Sequence, residues 1–287
     1  MSIFSGIWIP LVTPFADGAV DHVALQRLVR IYADAGVSGL VALGTTGEPA
    51  ALDEREQDAV LATVLAAAGP LSLPVLVGVS GNREASVRER IAQLNGMPVA
   101  GVLVSAPYYI RPAQRGLIDY FAGLADLSTK PLVLYDIPYR TGVRLEIETL
   151  LTLAAHPRIE AIKDCAGSAD TTLTLILDGR LKVLAGDDLD IFHTLCIGGS
   201  GAIAASAHLR PERFVEMHRV LAAGRLDEGR AIFHALAPLI RALTAEPNPG
   251  PVKAALAAQG WLRNELRTPM TGATDELQRR LAKLVAG

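Results

Sequence analysis

Short, almost continuously apolar runs rich in β-branched residues recur along the chain, separated by longer amphipathic stretches. The runs are GIWIPLV from Gly6, GLVALG from Gly39, PVLVGVS from Pro74 and GVLVSAP from Gly101. They continue with PLVLYDIP from Pro131, IEAIKDC from Ile159, LKVLAGD from Leu181 and GAIAAS from Gly201. None alternates apolar with polar, so each reads as a strand buried on both faces, the habit of a parallel sheet. The intervening stretches, such as Asp21 to Ala35 and Asp53 to Ala68, carry helical periodicity. Asp21 and Asp53 are placed as N-caps, and Gly36 stands where a C-terminal cap glycine belongs.

About eight strand-then-helix units with no second core predict a (β/α)8 barrel. An open doubly wound sheet uses the same units, but its first turn is expected to carry GxGxxG, and here that turn reads TPFADGAV. Beyond Gly224 the patterning is helical, with no convincing strand. The expected division is a barrel over 1–224 and a C-terminal helical extension over 225–287. EPNPGPVK, from Glu246, reads as a proline-rich connection between two of those helices.

Composition narrows the classes. Half of the 287 residues are apolar and 5% are aromatic, enough for a large aliphatic core. With 27 basic and 30 acidic residues the net charge is −3, which gives no support to nucleic-acid binding. Mean hydropathy is high at +0.31, yet charges, prolines or glycines interrupt every long apolar stretch, so no membrane span is expected. The opening MSIFSGIWIP lacks the features of a secretory leader, which suggests a cytoplasmic protein. Two cysteines and six scattered histidines offer no disulfide framework and no metal-binding spacing, so no metal is expected.

Active sites of such barrels lie at the carboxyl ends of the strands. Lys163 falls there, in IEAIKDC. Burial is expected to lower its pKa and yield a neutral amine able to form an imine with a carbonyl. The alternative is a lysine that snorkels to water or pairs with Asp164. Tyr135 ends the preceding strand, within reach, where a phenol could shuttle protons; otherwise it is a rim tyrosine. GTTGE, Gly44 to Glu48, could aim N–H groups and threonine hydroxyls at a small carboxylate, or serve as a capped turn before a helix. Arg140 and Thr141, in YRTG, offer a fork for a carboxylate, or a solvated loop. GGSGAIAAS, from Gly198, allows close approach to a ligand or tight helix–strand packing.

These pieces together resemble the pyruvate-dependent class I aldolase family of dihydrodipicolinate synthase and N-acetylneuraminate lyase, nearly end to end. The shared motifs are GTTGE, the Y-D-I-P-x-x-T that Tyr135 opens, and I-K-D-C around Lys163. APYYIRP from Ala106, RTG at Arg140 to Gly142, GGSGAIAAS and EPNPGPVK are most similar to the synthase branch. The resemblance implies that Lys163 forms a Schiff base with pyruvate and that Tyr135, Thr45 and Tyr109 form a proton relay. Tyr109 would come from a neighbouring subunit. Thr46 and the backbone of Ile203 would hold pyruvate, and Arg140 the carboxylate of L-aspartate 4-semialdehyde. It further implies a homotetramer, a dimer of dimers, and no cofactor, because the lysine is itself the electron sink. A sister activity on a sugar-derived 2-keto acid uses the same imine and is the alternative. A non-enzymatic keto-acid-binding barrel would not need the relay.

Some positions depart from the family pattern. Pro49 stands where serine is usual, and Asp136 where asparagine is common. In lysine-inhibited members, histidines early in the second helix line a regulatory pocket; here LDEREQ offers Glu54 and Gln57. Asn82 and Tyr108 match that pocket, but its acidic partner falls on Ser86, with Glu84 on another helical face. Feedback by lysine is therefore expected to be weak or absent. For Cys165 the expectation is a small buried filler.

Overall fold

A computed structural model describes residues 3–286. Eight parallel strands close into a barrel: β1 (Gly6–Pro10), β2 (Gly39–Ala42), β3 (Val75–Val79), β4 (Gly101–Ser105), β5 (Leu132–Asp136), β6 (Ile159–Asp164), β7 (Lys182–Ala185) and β8 (Gly201–Ile203). Each strand neighbours the next in sequence, and β8 returns to β1. Every apolar run became a strand, and the open sheet is excluded. A short antiparallel hairpin, Phe15–Ala16 with Ala19–Val20, follows β1.

The chain forms two compact units. One comprises Met1–Ser5 and Leu76–Ile203; the other comprises Gly6–Val75 and Ala204–Gly287. In the first unit the register between β5 and β6 decides the chemistry. Leu132 lies opposite Ile159 but Val133 lies opposite Ala161, so Glu160 is an extra residue. That bulge advances the pairing by one, placing Tyr135 opposite Lys163 and Asp136 opposite Asp164. Without it Tyr135 would face Ile162, whose side chain points to the other face.

In the second unit, the helix His22–Asp34 buries Leu25, Leu28, Val29 and Tyr32 at helical spacing. The Asp21 carboxylate accepts the Ala24 N–H at 2.9 Å, and Gly36 follows with φ +77°, as the sequence predicts. Asp53 and Glu56 form a reciprocal capping box on the helix Glu54–Ala68. His208 is fully buried. Its Nε2 accepts the Val12 N–H at 3.2 Å, its Nδ1–H donates to the Ala205 carbonyl at 2.8 Å, and Tyr32 meets it edge-on. Burial pushes its pKa down to about 4, so the ring is a neutral connector below the end of β1.

The C-terminal helices are Leu226–Leu243, Gly250–Ala258 and Asp275–Ala286. The connection read from EPNPGPVK is shorter than the sequence suggests: Pro251 sits in the first turn of the helix that starts at Gly250, where a missing N–H costs nothing. Among the described residues no helix is long and apolar enough to cross a membrane.

Candidate active site

Lys163 and Tyr135 end adjacent strands and point to the same face. Both are buried, at 7% and 6% exposure. Lys163 Nζ lies over the Tyr135 ring, 4.4 Å from its centroid, and a side-chain hydrogen bond links the two. Gly186, just after β7, makes room for the amine's stem. A β-carbon there would collide with the Cys165 sulfur and stand 2.9 Å from Lys163 Cγ. Only glycine leaves the lysine unhindered.

The net direction of the Lys163 pKa differs from the expectation. Burial does pull its pKa down, and is the largest single influence. Tyr135, Cys165 and Asp188 oppose it, and the net direction is upward. Sequence periodicity registers burial but not the acidic groups that the fold folds back onto the lysine. The Cys165 thiol is half-buried and, through burial, pushed up to about 12, so it is an uncharged filler beside the amine.

The loop after β5 runs through a single helical turn, Pro138–Thr141, and closes at Gly142 with φ +79°. Arg140 is exposed on that turn and stacks its guanidinium on the Tyr139 ring at 5.6 Å. The loop is tied to the one carrying Tyr109: the Tyr109 N–H donates to the Thr141 carbonyl at 3.2 Å and Arg111 Nε to the Gly142 carbonyl at 3.0 Å. Tyr109 itself has φ +72° and is 86% exposed. A bulky residue in a left-handed conformation is strained, and this one holds its ring away from its own chain. Ile203 closes this unit's strands, fully buried. In GGSG, Gly199 stands where a β-carbon would meet Thr194, including its carbonyl at 2.7 Å, so tight helix–strand packing explains that glycine.

In the second unit GTTGE forms a tight 3-10 turn, Thr45–Gly47, ended by Glu48 with φ 53°. Thr46 is buried and Thr45 half-buried. The Asn248 amide donates to the Thr46 hydroxyl oxygen at 2.9 Å. Glu48 is buried and pairs with the fully buried Lys253 at 2.5 Å. Lys253 Nζ also donates to the Glu265 carbonyl at 2.9 Å and lies 4.1 Å from the Phe15 ring centroid. Arg267 packs on the same ring at 4.6 Å, donates its backbone N–H to Glu48 Oε2 at 3.3 Å and forks onto Glu56. The capping box expected at GTTGE as an alternative is made instead by Asp53 and Glu56.

The predicted residues thus fall into groups. Lys163 and Tyr135 meet directly; Tyr109 and Arg140 share two laced loops; Thr45 and Thr46 share one buttressed turn. Gly186, Asp188, Asn248 and Lys253 were not singled out from the sequence. The one usable signal was Lys253, a charge inside the apolar helix GPVKAALAA. Among the described residues no group of three or more histidines, cysteines or acidic residues is placed to hold a metal ion.

Residues 3–287 match the model of the Dihydrodipicolinate synthetase family. A 4-hydroxy-tetrahydrodipicolinate synthase 2 of Clostridium acetobutylicum is 35% identical over 283 residues, covering 98% of this chain and 99% of the relative. The 4-hydroxy-tetrahydrodipicolinate synthase of Haloarcula marismortui is 36% identical, covering 95% of this chain and 90% of the relative. The crystal structure of the Thermotoga maritima dihydrodipicolinate synthase superposes with a TM-score of 0.95 at 32% identity, covering 99% of this chain and 98% of that one. A Cyanidioschyzon merolae enzyme of the same name, solved with lysine bound, superposes with a TM-score of 0.96 at 28% identity, covering 100% of this chain and 98% of that one. On sequence and fold alike, the chain belongs to the dihydrodipicolinate synthetase family.

Proposed function

We propose that the protein is a Schiff-base lyase that condenses pyruvate with L-aspartate 4-semialdehyde to 4-hydroxy-tetrahydrodipicolinate. The observation that carries this is Lys163, buried beneath the Tyr135 ring with its stem cleared by Gly186. The family and the named relatives support the same reading.

The neutral amine of Lys163 is the form that attacks the keto carbon. The Tyr135 hydroxyl, hydrogen-bonded to Lys163, would take up and return the protons of the steps that follow. Attack gives a carbinolamine, and loss of water gives the iminium. The iminium acidifies the pyruvate methyl group; its deprotonation yields an enamine, whose carbon adds to the aldehyde. The product's own amine then closes on the imine carbon and expels Lys163 as the ring forms. No metal or organic cofactor is called for, since the iminium nitrogen takes up the electron pair. Thr46 and the Ile203 backbone would hold pyruvate, and Arg140 the carboxylate of the aldehyde. Thr45 would pass protons between Tyr135 and Tyr109.

Tyr109 enters this relay from a neighbouring subunit. Its 86% exposure and its backbone, pinned to Thr141, support a ring presented outward. The assembly is a homotetramer, a dimer of dimers, in the cytoplasm.

The test is turnover with both substrates, coupled to the next reductase. Arg140→Ala should cost about ten- to a hundredfold in kcat/KM for the aldehyde, the worth of a charge-assisted hydrogen bond. Pyruvate should still be trapped on Lys163 by borohydride in that variant. Trapping without any turnover in the wild type would overturn the aldehyde assignment and move the search to sugar-derived 2-keto acids.

Lysine should inhibit weakly or not at all. Gln57 is spent on the Pro49 and Leu52 carbonyls, and Ser86 carries the Arg83 guanidinium at 2.9 Å. A cation there repels the ammonium of lysine. Strong inhibition of the initial rate at sub-millimolar lysine would contradict this.

A further inference from the structure

Asp136 follows Tyr135 on β5, so its side chain points to the opposite face of the strand. It is 2% exposed. Its Oδ1 accepts the Leu145 N–H at 3.2 Å, a bond that spans nine residues and closes the whole Arg140 loop on the strand that launches it. Two charged groups face it. Asp164 stands across the register on β6, already holding the Ala166 N–H and the Thr172 hydroxyl. Arg144, on the loop itself, sends its guanidinium to the Ala166 carbonyl at 2.6 Å. Among the described residues Asp136 has no ion pair. Burial pushes its carboxyl up to about 7; the Leu145 N–H opposes that, Asp164 adds to it and Arg144 opposes it.

We propose that Asp136 is the positioning residue of the Arg140 loop: uncharged, it clasps Leu145 and holds the loop on the strand end, and losing its proton releases the clasp. A carboxylate left dry beside a second carboxylate, with one donor, is costly to keep. Opening the loop wets it and returns it to the ordinary range near 4. Between about pH 4 and about pH 7 the closed loop therefore keeps a proton that the open loop sheds. Closure weakens by up to about tenfold per pH unit across that window and no further above it. That the loop's Arg140 grips a substrate carboxylate is the reading given above; the clasp stands without it.

The test is hydrogen exchange at the Leu145 amide from pH 5 to 8, corrected for intrinsic exchange. Wild-type protection should fall at least about tenfold between pH 5 and pH 7 and then level off. Asp136→Asn keeps the accepting carbonyl and cannot ionise, so its protection should stay flat over the whole range. Asp136→Ala should be unprotected throughout. Equal slopes in wild type and Asp136→Asn would overturn the proposal. In the kinetic arm, KM for the aldehyde should rise with pH in the wild type relative to Asp136→Asn, while KM for pyruvate runs parallel in the two. The amide result without the KM split would support the clasp and overturn the role given to Arg140.

Discussion

Lys163→Ala is expected to abolish turnover, by on the order of ten-thousandfold or more, while leaving the fold intact. The reasoning is local. Tyr135 and the strand ends remain, and the space cleared by Gly186 is simply larger. What disappears is the amine that forms the covalent bond, and no other lysine lies on β4, β5 or β6. Borohydride with pyruvate should add one reduced pyruvyl group to the wild type, at Lys163, and none to the variant. An adduct of equal yield in Lys163→Ala would place the nucleophile elsewhere. Since attack needs the neutral amine and the net pull on the Lys163 pKa is upward, trapping in the wild type should also quicken as pH rises.

Lys253→Ala is expected to lower stability by about 3–5 kcal/mol, the usual cost of stripping one partner from a buried ion pair. The ammonium is fully buried, and Glu48 on the other side is equally dry. Burial holds Lys253 below its ordinary pKa despite the pull of Glu48, so the pair is maintained by geometry and not by solvent. Without the lysine, Glu48 retains the Arg267 backbone N–H, and the Phe15 ring loses one of its two cations. Denaturant unfolding measures the loss directly. Lys253→Met with Glu48→Gln should recover most of it, since no charge is then stranded. A loss below about 1 kcal/mol in the single variant would show the pair to be solvated. Because Glu48 ends the turn bearing Thr45 and Thr46, KM for pyruvate should rise alongside.

The barrel was legible because strands buried on both faces cannot alternate; their apolar runs mark themselves. Chain order then sets the neighbours, which is how Tyr135 and Lys163 could be paired before any coordinates. The bulge at Glu160 was not legible, although it is what aligns them. Nor was the net upward direction of the Lys163 pKa, to which Asp188 contributes from beyond the next strand. Asn248 and Lys253 escaped for a related reason. Thr46, Glu48 and Phe15, which they meet, lie in the first fifty residues, and periodicity sees only a few positions to either side.

That separation also times the birth of the molecule on the ribosome. Thr46 precedes Asn248 by 202 residues, and Val12 precedes its acceptor His208 by 196. At about 5–20 residues per second, the nascent GTTGE turn waits roughly 10–40 s for its buttress to be made. During that interval the turn lacks the Asn248 amide, and Glu48 lacks Lys253. A chain released before Asn248 would therefore lack the buttress of its threonine turn.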